Sequence, residues 1–422
     1  MKTLILLAAL MVVMHAANRV YGTEYTWTNT TLVLTQWDAD GSWSVPGFPR
    51  QQGDVAQFVD NDENTAVRTV ELNNNDYYTC AVIRCLADTN RYTVNINQYV
   101  NDGLFLEAAS GNAAIIVDDD FLSGTPCFTI AGHNLHIISP TDITVSNNTA
   151  RMDITASIEG TAALAKYGPG QVRCAHAGSG YSGTIAVHGG EIYLSGPSNL
   201  HAATFLVKHG AWLQYDYMTL ASPPVPANII LQDGWLYNSG NTTDGKRFDK
   251  LTVDGAGYIT SKWYNTFFTG TIQGTGTLYN LFRPMYILGD VHPGFSIGTL
   301  TIRRQSGTIF VGTNTAPATL HIETSTLGSD RLVFENLDTA SRIDLGLVNV
   351  VFEGTGTGAQ TNWFLSANQL LNGSVFNSIS NAPGLISEVV YDYSNNQIGV
   401  IAVPEPVLPL GLLAVVAVLR RR

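Results

Sequence analysis

A short segment recurs at near-constant spacing in the middle of this chain, and that recurrence limits the fold more than any other feature. Thr184-Ile185-Ala186-Val187-His188-Gly189-Gly190 aligns with Thr204-Phe205-Leu206-Val207-Lys208-His209-Gly210, twenty residues on. Asn228-Ile229-Ile230-Leu231-Gln232-Asp233-Gly234 follows after twenty-four more, and Lys250-Leu251-Thr252-Val253-Asp254-Gly255 after twenty-two. Each unit reads as strand, glycine turn, strand: Val187 before the turn, Ile192 and Leu194 after it. Such a period is one coil of a parallel β-solenoid, in which inward residues stack on their counterparts in the next coil. The two-residue alternation of a strand decides which residues face inward. The expected fold is all-β: a single parallel β-helix, right-handed, with coils of about 20–24 residues over 23–397. A β-sandwich also has short strands, but it gives no reason for matching positions at coil spacing.

Composition agrees. Of 422 residues 45% are hydrophobic and 13% charged, with 40 Gly, 16 Pro and six Lys, which suits turn-rich strands better than helices. Charge is too sparse and apolar content too high for a disordered chain. The net charge of −12 repels phosphate backbones, so nucleic acid is not an expected partner.

Both ends read as addresses. Lys2 precedes an unbroken apolar run of eleven residues, Leu4 to Met14, too short to span a bilayer and right for a signal peptide cleaved after Gly22. At the other end Val403-Pro404-Glu405-Pro406 leads into thirteen apolar residues, Val407 to Leu419, and then Arg420-Arg421-Arg422. The arginines favour the cytoplasmic side, and the prolines hold Glu405 near the interface, where a membrane enzyme can reach it. The three parts in this order resemble a PEP-CTERM sorting signal. The resemblance implies a membrane helix at 407–419, an exosortase-type sorting enzyme as partner, and delivery to the bacterial cell envelope, cell surface or extracellular matrix.

A second resemblance covers residues 157–215. Glu159-Gly160-Thr161-Ala162-Ala163-Leu164-Ala165-Lys166-Tyr167-Gly168-Pro169-Gly170 leads into Tyr181-Ser182-Gly183-Thr184-Ile185-Ala186-Val187 and then Gly190-Glu191-Ile192-Tyr193-Leu194. This is similar to the autotransporter-associated β-strand repeat, although Ala162 stands for a glycine and Val172-Arg173-Cys174 for a Leu-Thr-Leu strand. Tyr25-Thr26-Trp27, Trp37, Trp43 and Gly53-Asp54-Val55-Ala56-Gln57-Phe58 resemble the N-terminal opening of such exported proteins. His292-Pro293-Gly294-Phe295-Ser296-Ile297-Gly298-Thr299-Leu300 resembles one of their coils.

Parallel β-helices also carry polysaccharide lyases and hydrolases, whose chemistry needs convergent catalytic groups. Glycoside hydrolysis needs two converging carboxylates. Asp118-Asp119-Asp120 followed by Gly132-His133 and His136 is the nearest pattern, but no matching basic motif comes next, and Arg303-Arg304 lies far downstream. An acidic turn between strands is the preferred reading of it. Asp38-Ala39-Asp40-Gly41 and Asp60-Asn61-Asp62-Glu63 gather oxygen donors without completing a calcium loop. His188 and His209 sit beside glycine turns and are expected to face solvent. No nucleophile elbow and no phosphate-cradling loop is present, so no catalytic residue, cofactor or metal is expected.

Cys80, Cys85, Cys127 and Cys174 permit disulfides in an exported chain, with Cys80 and Cys85 able to pair across a bend, and equally permit buried free thiols. Trp212, Trp235, Tyr215, Tyr217, Tyr237 and Tyr258 fall at strand positions and offer either packing between coils or stacking surfaces for sugar rings. Trp27, Trp37 and Trp43 are expected to cover the first coil. The sequence thus points to a non-catalytic surface or exopolysaccharide-matrix structural or adhesion protein, with exopolysaccharide or other envelope proteins as partners. The alternative is a β-helical polysaccharide lyase or glycoside hydrolase.

Overall fold

The computed structural model describes residues 22–402, apart from 30–34, 40, 61–66, 74–76, 88–90, 98–102, 119–125, 176–179, 196–199, 217–224, 240–245, 262–264, 295–296, 326–327, 355–360, 371–372 and 382–385. The expected signal peptide before Gly22, the expected sorting tail at 403–422 and the apolar segment 407–419 lie outside the described residues. So do Asp40, Asp62, Glu63, Asp119, Asp120 and Tyr217. No helix among the described residues is long and apolar enough to cross a membrane. Apart from three one-turn 3₁₀ segments every described element is a strand, and most strand pairs are parallel. The chain forms two compact units, one of Met1–Lys250 with Gly257–Tyr264, the other of Leu251–Ala256 with Asn265–Arg422.

In the first unit, strands pair with their successors in columns. One column runs through Val55–Val59, Val82–Leu86, Ala113–Val117, Thr141–Val145, Leu164–Tyr167, Thr184–Val187, Thr204–Val207 and Val225–Leu231. The repeat read from the sequence is this pairing at residue resolution: Thr184 lies opposite Thr204, and Thr204 opposite Asn228. A second column includes Arg151–Ile154, Gln171–Cys174, Glu191–Leu194, Trp212–Tyr215 and Gly234–Asn238. Alternate residues are buried, so Ile185, Phe205 and Ile229 stack inside, as do Val187, Val207 and Leu231. Each such side chain removed from water contributes about 1.5–3 kcal/mol, which is what holds the rows in register.

The spacing of 20–24 residues holds only in part of this unit. Thr184 pairs Thr204, but Val82 pairs Ala114 and Tyr92 pairs Phe128, steps of 32 and 36 residues. The physical reason is a third column, Tyr77–Cys80, Gly103–Leu106, Asn134–Ile137 and Ser157–Gly160, which forms a separate four-stranded parallel sheet and ends at Gly160. Each turn of chain before that point carries an extra strand.

Trp27, Trp37 and Trp43 form a buried cluster, with Trp43 edge-on to Trp27 at 4.9 Å and to Trp37 at 5.1 Å, all packed on Phe58. Their indoles satisfy backbone oxygens, Trp37 donating to Pro49 O at 3.0 Å and Trp43 to Trp37 O at 2.6 Å. Three large rings thereby cover apolar surface at the first rows without leaving a buried donor unpaired.

All four cysteines are buried and none is in a disulfide. Of the two readings of the sequence, a bridge between Cys80 and Cys85 or buried free thiols, the structure has the free thiols. Cys80 ends a strand of the four-stranded sheet, while Cys85 lies within Val82–Leu86 of the neighbouring column. Burial raises the Cys174 thiol to about 12, with Asp153 adding to the shift, so it stays protonated.

The second unit has three columns. Thr271 to Gln273 leads to Asp290–Pro293, Ala318–Ser325, Val348–Gly354 and Ser378–Asn381. Gly276 to Asn280 leads to Thr299–Arg304, Arg331–Glu335 and Thr361–Ala367. Thr266 to Phe268 leads to Met285–Ile287 and Ile309–Val311. Parallel stacking, expected as far as 397, stops earlier: Thr361–Ala367 pairs antiparallel with Gln397–Ala402, which pairs antiparallel with Ile386–Asp392. A hairpin added to the last rows occupies an edge that parallel stacking would leave open.

Candidate functional site

The outward side of the second column in the first unit gathers the polar and aromatic groups. Gln171, Glu191, Trp212, Trp235 and Tyr258 occupy one register line, each opposite the next. Trp212 stacks on Trp235 with centroids 4.6 Å apart and planes 11° off parallel, and Trp235 on Tyr258 at 4.6 Å and 16°. Stacking covers the ring faces inside the ladder, and a sugar ring needs an uncovered face. The face of Trp212 turned toward the Glu191 row is therefore the one that matters.

That face borders an open depression lined by Gly190, Glu191, Gly210, Trp212, Gln214 and Tyr237. A second depression, with Asn148, Thr149, Arg151 and Gln171, adjoins it and shares Glu191. The carboxylate is asymmetric: Oε2 accepts from Gln171 Nε2 at 2.9 Å, whereas Oε1 is buried with no hydrogen-bond partner. Burial pushes its pKa up, opposed by the Gln171 hydrogen bond and by the charge of Lys166. Beside the depression Arg173 stands over the Tyr193 ring at 5.4 Å, and the Tyr193 hydroxyl donates to Asp216. A flat ring edged by the Gln214 amide and the Tyr237 hydroxyl can hold a polyhydroxylated ring. Glu191 is the one carboxylate among the described residues lining the two depressions, where glycoside hydrolysis needs two.

The other sequence candidates are scattered. Asp118 is exposed at the end of Ala113–Val117, in the first column; exposed His133 follows a strand of the second, and His136 belongs to the four-stranded sheet, stacked on Phe105 at 4.3 Å. Arg303 is paired with Glu335 and Arg304 with Asp338, so neither is a free basic group. Of the two roles open to the aromatics, Tyr215 takes packing: it faces inward and is buried, because it sits two residues beyond Leu213 on the inner side of its strand. His209 is exposed as expected, whereas His188 is half-covered by stacking on Tyr167 at 4.6 Å.

One cluster escaped the sequence reading. In the second unit Asp290, His292 and His321 bring a carboxylate oxygen and two imidazole nitrogens within 4.8 Å of one another. His292 and His321 lie 29 residues apart in a stretch without a repeat, so no spacing rule singles them out; only the pairing of Asp290–Pro293 with Ala318–Ser325 brings them together. No protein-family model, curated protein or solved structure matches this chain.

Proposed function

We propose that the chain is a non-catalytic structural or adhesion protein of the bacterial surface or exopolysaccharide matrix, with each unit a parallel β-helix and with a PEP-CTERM tail as its sorting signal. The resemblance of 157–215 to the autotransporter-associated β-strand repeat supports the same class of exported protein. The observation that carries the reading is the Trp212 end of the aromatic ladder, its ring bordering an open depression beside the Glu191 row. In this reading the stacked rows supply stiffness, and this face supplies contact with polysaccharide.

The test is retention of the protein on neutral and acidic polysaccharides, scored together with newly released sugar ends. Retention without release is expected, and Trp212→Ala is expected to weaken it roughly tenfold, about 1.4 kcal/mol. Unchanged retention in Trp212→Ala removes this face from the function, and release of sugar ends establishes the lyase or hydrolase alternative. Sorting has its own readout: the mass of the surface-delivered protein is expected to lack Arg420, Arg421 and Arg422. A mature mass that still includes them overturns the tail assignment.

A further inference from the structure

In the second unit Asp290–Pro293 runs parallel to Ala318–Ser325, with Asp290 opposite Thr319 and Val291 opposite Leu320. Val291 and Leu320 face inward, so Asp290, His292 and His321 share the outward side. The two imidazoles stack at 4.1 Å, 9° from parallel, so their in-plane lone pairs run side by side and meet on one ion once one ring turns about its χ2. The next strand, Val348–Gly354, brings Glu353 alongside, with Oε1 3.1 Å from His321 Nδ1. A carboxylate there accepts the Nδ1 proton and leaves the lone pair of the neutral ring on Nε2.

His321 Nε2 lies 3.9 Å from Asp290 Oδ1. That is too long for a hydrogen bond and wider than the roughly 3.4 Å between two donors that each stand about 2.0–2.2 Å from one tetrahedral zinc ion, a gap that a small side-chain rotation closes. A ring nitrogen of His292 falls within the same 4.8 Å circle. The side chains of Asp290 and His321 are 48% and 22% exposed, so an ion can enter from solvent while strand backbone holds its ligands.

We propose that Asp290, His292 and His321 bind one divalent transition-metal ion of the zinc class, with Glu353 orienting His321 from behind. Two imidazoles and one carboxylate suit such ions, whereas calcium and magnesium prefer oxygen ligands throughout. A carboxylate behind a ligating histidine is the usual means of setting its tautomer and raising its basicity. The ion would join two neighbouring rows on their outer side and keep a position open for water.

The test uses the untagged full chain, stripped with a chelator and equilibrated by dialysis against buffered Zn²⁺, with bound metal measured directly. One Zn²⁺ per chain is expected, not displaced by excess Ca²⁺ or Mg²⁺. His292→Gln and His321→Gln, each checked for wild-type circular dichroism, are expected to weaken binding at least a hundredfold. Glu353→Gln is expected to keep the stoichiometry and weaken binding about 10–100-fold. With Co²⁺ as probe, visible ligand-field bands are expected without a thiolate charge-transfer band, which separates this site from the four cysteines. Sub-stoichiometric Zn²⁺, binding that survives both histidine substitutions, or a thiolate band each overturns the proposal. Unchanged affinity in Glu353→Gln overturns the role given to Glu353.

Discussion

Gly276→Ala is expected to lower the stability of the second unit by about 3–5 kcal/mol, read as a shift of its urea midpoint. Gly276 has φ +126, and a Cβ there would stand 1.8 Å from the carbonyl oxygen of Gly255 and 2.8 Å from its carbon. The obstacle is backbone of the preceding row, itself tied into parallel pairing, so it cannot rotate away as a side chain would. Gly373→Ala is the control: φ is +79, but nothing lies within 4 Å of its Cβ. That substitution meets only the backbone preference and is expected to cost about 1–2 kcal/mol. Equal losses at the two sites would mean that conformational preference, not the close approach of successive rows, makes glycine necessary at 276.

Lys166→Met is expected to destabilise the first unit, and by more at high pH. Lys166 stands in an otherwise aliphatic inner stack, between Ile143 and Val187, with no exposed surface. Its ammonium donates to the carbonyl oxygens of Tyr167 at 2.8 Å, Gly168 at 2.7 Å and Gly189 at 3.1 Å. Methionine leaves these carbonyls without that donor, which costs about 1–3 kcal/mol. Burial pushes the Lys166 pKa from 10.5 down to about 7, the Glu191 carboxylate pulling the other way. Between those values the unfolded chain holds the proton more often than the folded one, so this group makes stability rise with pH. Methionine does not titrate. The cost of the substitution is therefore expected to grow between pH 7.5 and 9.5 by about 2 kcal/mol. Burial also raises the Cys174 thiol and the Tyr181 hydroxyl, which oppose the trend at alkaline pH in both proteins, so the readout is the difference between the two denaturation midpoints. A difference independent of pH would show that Lys166 keeps an ordinary pKa in the fold.

Neither residue announces itself in the sequence. Lysine in an alternating strand reads as an outward position, and only the carbonyls of the turns at Gly168 and Gly189 make an inward one tolerable. Likewise Tyr215 shares its spacing with the surface aromatics, and its burial follows from the phase of the strand relative to Leu213.

The alternation of apolar residues and the glycine turns at 184–255 were sufficient for an all-β chain with parallel rows, because stacked rows demand the same residue class at each register position. They also yielded the pairing of Thr184 with Thr204 and Asn228, residue for residue. The third column at Tyr77–Cys80, Gly103–Leu106, Asn134–Ile137 and Ser157–Gly160 was decided only by tertiary structure, since its turns differ in length and leave no fixed period. The antiparallel close at 361–402 and the meeting of Asp290, His292 and His321 were decided there too. A period records contacts between equivalent positions, whereas these features join positions that are equivalent in space but at no constant separation along the chain.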